Sequence, residues 1–169
     1  MKTKLLILFL VLLTACNTGN KPMTEAQKEA IKGEGSISVN EFFNAIMESN
    51  GGILMELCEK SPDFNMVVAG EIYTYDGMKE MVDQVLPLVK EQTFRTKSEK
   101  YVIIDPTCFL YIWHGRNGIY MKSGDSTVYD DYIGTYAFRK VEESWKLFFG
   151  HESYKVPFPI DTTTVQATN

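Results

Sequence analysis

A chain of 169 residues, 44% of them hydrophobic and 12% aromatic, carries enough apolar material for one domain with its own core. Its formal net charge of −5, without a cluster of Lys and Arg, argues against nucleic acid as a partner, because phosphate neutralisation dominates that affinity. The same acidity disfavours a protein surface lying flat on anionic lipid.

The chain opens with Lys2 and Lys4, followed by an apolar run from Leu5 to Leu13 and then Thr14-Ala15-Cys16. Residues 1–15 have the layout of a signal peptide, and the run is too short to span a bilayer comfortably. Leu13-Thr14-Ala15-Cys16 resembles the lipobox of bacterial lipoproteins. That resemblance implies cleavage before Cys16 and acylation of its thiol. Acyl chains contribute about 0.8 kcal/mol per buried methylene, so two or three of them anchor a protein firmly. The membrane is thus an expected partner, through lipidated Cys16, in a bacterial cell envelope. Asn17 stands where an Asp would suggest inner-membrane retention, which points to the outer membrane, facing the periplasm. Loss of the signal removes two Lys and no acid, so the remaining chain is more acidic still. Of the other two cysteines, Cys58 and Cys108, an oxidising envelope permits pairing, but buried free thiols are the expectation.

Residues 16–34 are polar, with no sustained apolar face, and read as a flexible tether. The folded domain is expected over 35–156, followed by a flexible tail over 157–169 that Pro157 and Pro159 introduce. Ser38 and Glu41 have capping-box spacing, and Phe42, Ile46, Ile53 and Leu57 recur on one helical face, interrupted at Gly51-Gly52. Phe64–Tyr75 is strand-like. Asp76 can cap a second helix with Met78, Val82, Val85 and Val89 in one stripe, kinked at Pro87. From Thr93 onward, aromatic and β-branched runs alternate with turn-like stretches, among them Gly115-Arg-Asn-Gly118, whose Asn117-Gly118 is a hairpin signal. Helices followed by an antiparallel meander predict an α+β fold with the helices packed on one face of a curved sheet.

Three pieces in that order resemble the nuclear transport factor 2-like superfamily, and within it the SnoaL-like group. They are Tyr73-Thr-Tyr-Asp-Gly77 before a helix, the late strand Thr135-Tyr-Ala-Phe-Arg-Lys140, and the closing strand Trp145-Lys-Leu-Phe-Phe-Gly-His-Glu-Ser153. The resemblance implies a cone, in which a strongly bent antiparallel sheet wraps N-terminal helices and leaves a cavity at its wide end. Members include ketosteroid isomerases, polyketide cyclases, dehydratases, kinase association domains and non-catalytic binding modules, so the fold alone leaves function open. The closing strand of the group often carries a second histidine where this chain has Phe149, which puts a two-histidine pocket in doubt.

Period-two alternation puts Trp145, Leu147, Phe149, His151 and Ser153 on one face of the last strand. If that face lines the cone, His151 sits among apolar side chains where it can transfer a proton; otherwise it is a structural histidine in a core or interface. Asp131 is the alternative base, with Tyr136 as the hydroxyl that steadies a developing oxyanion. Asp130-Asp131 can equally be a solvated strand edge. Trp113, Tyr120, Tyr132 and Phe149 are the candidate ligand-binding aromatics, or else part of the core. His114 reads as turn-proximal. No motif with metal-ligand spacing, phosphate loop or dinucleotide fingerprint occurs, so neither a metal nor a cofactor is expected.

Three functions fit these residues. The first is a lipid-anchored module whose cone binds a small apolar molecule or a partner. The second is an isomerase, cyclase or dehydratase using His151 or an Asp for proton transfer. The third is a homodimeric scaffold, a homodimer being what the resemblance implies.

Overall fold

The structure, a computed structural model, describes residues 22–155; the expected signal peptide over 1–15, Cys16 and the expected tail over 157–169 lie outside the described residues. No helix among the described residues is long and apolar enough to cross a membrane.

Helix α1 (Glu25–Met47) begins well before Ser38. Thr24 Oγ1 accepts from the Gln27 backbone N–H at 3.2 Å, and Gln27 Oε1 accepts from the Thr24 N–H at 2.9 Å. This reciprocal capping box satisfies two otherwise orphaned donors, so residues 25–34 of the stretch read as tether are helical. Val39, Phe42 and Ala45 form its buried face. The helix breaks before Gly51-Gly52, where Ser49 has a positive φ of 53° and Asn50 Oδ1 accepts from Ile53 N–H at 3.1 Å. Helix α2 (Gly51–Glu56) restarts there, burying Leu54 and Met55 and leaving Ile53 exposed.

The strand-like stretch after Phe64 is a hairpin of β1 (Asn65–Val68) and β2 (Glu71–Tyr73). Ala69 and Gly70, at φ of 55° and 88°, form its two-residue turn, whose positive dihedrals match the twist of the paired strands. Helix α3 (Tyr75–Val85) is capped by Thr74, whose Oγ1 accepts from Gly77 N–H at 3.3 Å; Asp76 lies in the first turn. Pro87 ends this helix in a short 3-10 turn (Leu86–Leu88) rather than kinking it.

Four long strands complete the chain: β3 (Val89–Asp105), β4 (Cys108–Met121), β5 (Ser126–Val141) and β6 (Ser144–Tyr154). The open sheet has the order β2-β1-β6-β5-β4-β3, antiparallel except where β1 runs parallel to β6. The hairpin expected at Asn117-Gly118 does not form. Strand β4 continues through it, with Asn117 paired to Phe94 on one side and Tyr129 on the other, and buried. Apolar alternation on both sides of the dipeptide overrides its turn preference. The turns lie at either end of β4: before it, where Asp105 Oδ1 accepts from Thr107 N–H at 2.7 Å, and after it, where Met121 N–H donates to the Asp125 carbonyl at 2.8 Å. Helix α1 lies on the inner face of the sheet, where Phe42 meets Tyr136 at 5.4 Å and Phe138 at 6.3 Å between ring centroids. Phe109 stacks on Phe138 at 5.1 Å. Cys58 and Cys108 are free; burial pushes the Cys58 thiol up to about 12.

Strand β6 does not keep one phase. Phe138 pairs with Leu147, whereas its neighbour Ala137 pairs with Phe149, so Phe148 is an extra residue, a β-bulge. Trp145 and Leu147 face inward before it, and Gly150, Glu152 and Tyr154 do so after it. Phe149, His151 and Ser153 face outward and are exposed, which corrects the single-face reading of this strand. The bulge is clasped from outside. The Arg139 guanidinium lies 4.8 Å from the Phe148 ring centroid and donates to Glu59 through Nε and, at 2.6 Å, through Nη2. Asp63 adds a longer contact at 3.4 Å. Arg139→Met keeps the stem but removes the paired charge and fork; it should cost about 1–3 kcal/mol, read as a lower urea midpoint with an unchanged slope.

Candidate acid–base pocket

Between the sheet and helices α1 and α3 lies a cavity of about 190 Å³. Its walls are mostly apolar: Phe42 and Ile46 from α1, Met78 and Val82 from α3, and Met66 from β1. Into it the sheet delivers Glu152, which the bulge has turned inward, together with Tyr132 and Tyr154. Glu152 accepts a hydrogen bond from each of two phenols, Tyr132 at Oε2 and Tyr136 at Oε1, the latter at 2.9 Å. All three side chains stand on the same inner face: Glu152 pairs with Gly134, two residues from both tyrosines along β5.

Glycine makes this approach feasible at two positions. A Cβ on Gly134 would overlap the Tyr136 ring and hydroxyl, so the phenol reaches Glu152 only across a bare backbone. A Cβ on Gly150 would overlap Met66 Sδ, which closes the pocket beneath the acid.

Burial disfavours the charged carboxylate and raises the Glu152 pKa, opposed by the two phenolic hydrogen bonds, which hold the anion. Burial likewise raises Tyr132 and Tyr136, and the nearby Glu152 charge adds to it, so both remain hydroxyl donors. The arrangement is a carboxyl group with raised basicity and two neutral donors in an apolar recess. It can accept a proton or bind a polar ligand atom.

The residues singled out in the sequence scatter. His151 is exposed on the outer face, away from the pocket. Asp131 is also on the outside, where Lys97 Nζ at 2.8 Å and His114 Nε2 at 3.3 Å hold it. The Lys97 hydrogen bond, then that of His114, holds its pKa below the ordinary value, so it is a paired surface acid. Arg116 similarly pairs with Asp130 at 3.1 Å. Tyr136 is buried behind the pocket with its hydroxyl on Glu152. Among the ligand-binding candidates, Tyr132 lines the pocket. Trp113 is buried core, its Nε1 donating to Thr96 Oγ1 at 2.9 Å, while Tyr120 and Phe149 are exposed away from the cavity. Sequence reasoning missed Glu152, Gln92 and Asn117. Glu152 sits beside the histidine that drew attention, and only the one-residue bulge separates the two readings. No cluster of His, Cys, Asp and Glu suited to a metal occurs among the described residues.

The raised Glu152 pKa makes a testable contribution to stability. The folded acid holds its proton more tightly than the unfolded one, so its stabilisation is complete below the ordinary carboxylate range and is lost as pH climbs through the raised value. Thermal melts of the wild type and Glu152→Gln should therefore separate toward neutral pH, with the Gln variant the more stable there. Tyr136→Phe removes a bond that favours the anion, so the Glu152 carboxyl carbon should titrate at higher pH by NMR. Gly134→Ala should shift it in the same direction by displacing the Tyr136 phenol.

No family model and no curated protein matches this sequence. Solved structures do match. A hexachlorocyclohexane dehydrochlorinase (LinA) of type 2 superposes with a TM-score of 0.65 at 12% identity, covering 79% of this chain and 90% of that one. A LinA-type3 dehydrochlorinase from Novosphingobium barchaimii LL02 gives 0.64 at 12% identity, over 79% and 92%. A nuclear transport factor 2-like superfamily protein from Salmonella enterica gives 0.68 at 10% identity, over 80% and 98%. Identities this low speak to architecture. With its N-terminal helices and open six-stranded sheet, this chain has the nuclear transport factor 2-like fold.

Proposed function

We propose that the chain is an acid–base enzyme of the isomerase or dehydratase kind, acting on a small, largely apolar molecule with Glu152 as its base. The observation that carries this reading is a carboxyl group inside an apolar cavity, held by two phenols. Glu152 takes a proton from carbon next to a carbonyl or leaving group; the C–H electron pair moves into the new double bond. As Glu152 takes the proton, Tyr132, which lines the cavity, turns its single O–H from Glu152 Oε2 to the substrate oxygen on which charge develops, while Tyr136 keeps its hydrogen bond and positions the carboxylate. Return of the proton to another carbon completes an isomerisation, and departure of a leaving group completes an elimination. The dehydrochlorinases that share the fold are named for an elimination, which agrees with this class of chemistry.

A second reading is capture without turnover. It is favoured by the fact that both Glu152 oxygens already accept from phenols, so a ligand can be recognised by that cluster without any bond breaking. Deuterium incorporation from heavy water into a panel of small cyclic ketones and enones, monitored by NMR, separates the two. Under the enzyme reading some member exchanges; Glu152→Gln lowers that rate by about 10²–10⁴-fold, while His151→Ala leaves it unchanged. Saturable binding with no exchange in any member supports capture.

We further propose that the domain works at the outer membrane of a bacterial envelope, tethered by acylated Cys16. The support is the lipobox-like Leu13-Thr14-Ala15-Cys16 after an apolar run. In full-length protein expressed in a bacterium that processes lipoproteins, Cys16→Ala should move the domain from the membrane to the soluble fraction. Mass spectrometry should then lose the acyl increment on the N-terminal peptide.

A further inference from the structure

Asn117, in the second half of β4, is a polar residue buried at 2% exposure. Its Oδ1 accepts from Gln92 Nε2 at 3.1 Å, a bond across the β3–β4 pair. Among the described residues no protein acceptor takes the Asn117 Nδ2, yet it is not among the sealed, unpartnered polar atoms; only Ser61 Oγ is. Both amides line the same cavity as Glu152. The unused amide hydrogens therefore open into the cavity, where an occupant can take them. Turning both amides over exchanges which residue donates but still leaves one free donor and one free acceptor.

The two polar groups occupy different places on the sheet. Glu152 is on β6, whereas the amide pair is on β3 and β4. Between them β5 and β6 supply Tyr129, Tyr132 and Tyr154. Tyr132 and Tyr154 lie stacked at 5.5 Å with 14° between ring planes, and Tyr129 meets Tyr154 at 4.2 Å. Across the cavity stand flexible apolar side chains, including Met78 and Met81. Glu152 on β6 and Asn117 on β4 stand two strands apart, about 10 Å across the sheet, so the cavity offers two separate polar groups with aromatic rings along one wall and fits a flat molecule polar at both ends.

Resting on the reading of Glu152 as the working acid, we propose that the substrate class is a single planar ring or conjugated system. It would carry a carbonyl or hydroxyl at the end remote from the reacting carbon, and Asn117 and Gln92 would bind that group and fix the orientation. The size agrees: an apolar cavity of roughly 150 Å³ accommodates benzene, and this one is about 190 Å³. The amide hydrogen bond offsets the desolvation of an oxygen placed against it, while a ligand lacking that oxygen leaves a buried amide unpaired.

Calorimetric titration with phenol and 4-hydroxybenzaldehyde, in mildly acidic buffer that keeps both phenols protonated, tests this directly. The aldehyde adds one acceptor at the far end. The expected result is that it binds about tenfold more tightly than phenol, and that this advantage disappears in Asn117→Leu. Gln92→Leu, at a half-buried position, should also erase it and serves if Asn117→Leu does not fold. Equal affinity of the two probes for the wild type, with phenol still weakened by Glu152→Gln, would overturn the amide role and leave the Glu152 reading standing. Indifference of both probes to Glu152→Gln would overturn both.

Discussion

Side chains along a β-strand alternate between faces, so one inserted residue reverses the facing of every residue beyond it. In this protein the inserted residue is Phe148, and the residues it turns inward are Gly150, Glu152 and Tyr154. Without the insertion the inner face of the last strand would continue as Phe149, His151 and Ser153, and the cavity would hold an imidazole in place of a carboxyl. The clasp around the bulge belongs to the same device. The segment before β1 runs beside β6 at Leu147, where Glu59 N–H donates to the Leu147 carbonyl at 2.7 Å; β1 then rejoins β6 at Phe149. The loop between those two points passes the bulge, and its Glu59 and Asp63 reach Arg139, which covers the Phe148 ring. The orientation of the pocket's acid is thus fixed by contacts on the opposite side of the sheet.

Turning a carboxyl group into an apolar recess is unfavourable unless its oxygens are satisfied. Two tyrosines do this, and each is itself constrained. Tyr136 spans Gly134 along its own strand, and Tyr132 lies between the Trp113 ring at 6.1 Å and Tyr154. The phenols offset the desolvation of the acid, while the acid's charge further discourages their ionisation. The cluster is consequently a base with a proton affinity above that of a surface glutamate, next to donors that stay protonated. Surface acids in the same sheet show the contrast: Asp131 has Lys97 and His114 as partners, and its pKa moves the other way.

The α+β order, the helix break before Gly51 and the aromatic strands of the second half arise from patterns that act locally, and these were legible. So was the likeness of the closing strand to a known fold, because the order of short motifs survives divergence that erases overall identity. Three features were not. A bulge has no composition signal: Phe148-Phe149 reads as two ordinary strand residues, and its position depends on the Arg139 clasp, 76 and 80 residues from its carboxylate partners. Asn117-Gly118 carries a strong local turn preference that pairing on both sides of β4 overrides. Thr24 and Gln27 are the third: their capping box was in plain view, but the polar surface of the first helical turns resembles a tether in composition. In the first two cases the misread residues are those on which the candidate pocket depends.

The pocket also divides its materials by rigidity. The hydrogen-bonding side chains that line it, Glu152, Tyr129, Tyr132, Tyr154, Gln92 and Asn117, all stand on strands of the ladder formed by β3 to β6. The opposite wall comes from helix side chains, with Met78, Met81 and Val82 of the eleven-residue α3 prominent among them. Methionine has three rotatable bonds and a polarizable sulfur, so it refills a changing volume at little cost, whereas a strand residue with paired neighbours is held in place. For the ligand proposed for this pocket, polar recognition would therefore be set by the sheet while the apolar fit adjusts to the occupant. A change of ligand size should be absorbed by α3. A change in where its oxygen lies meets groups that cannot move to match it.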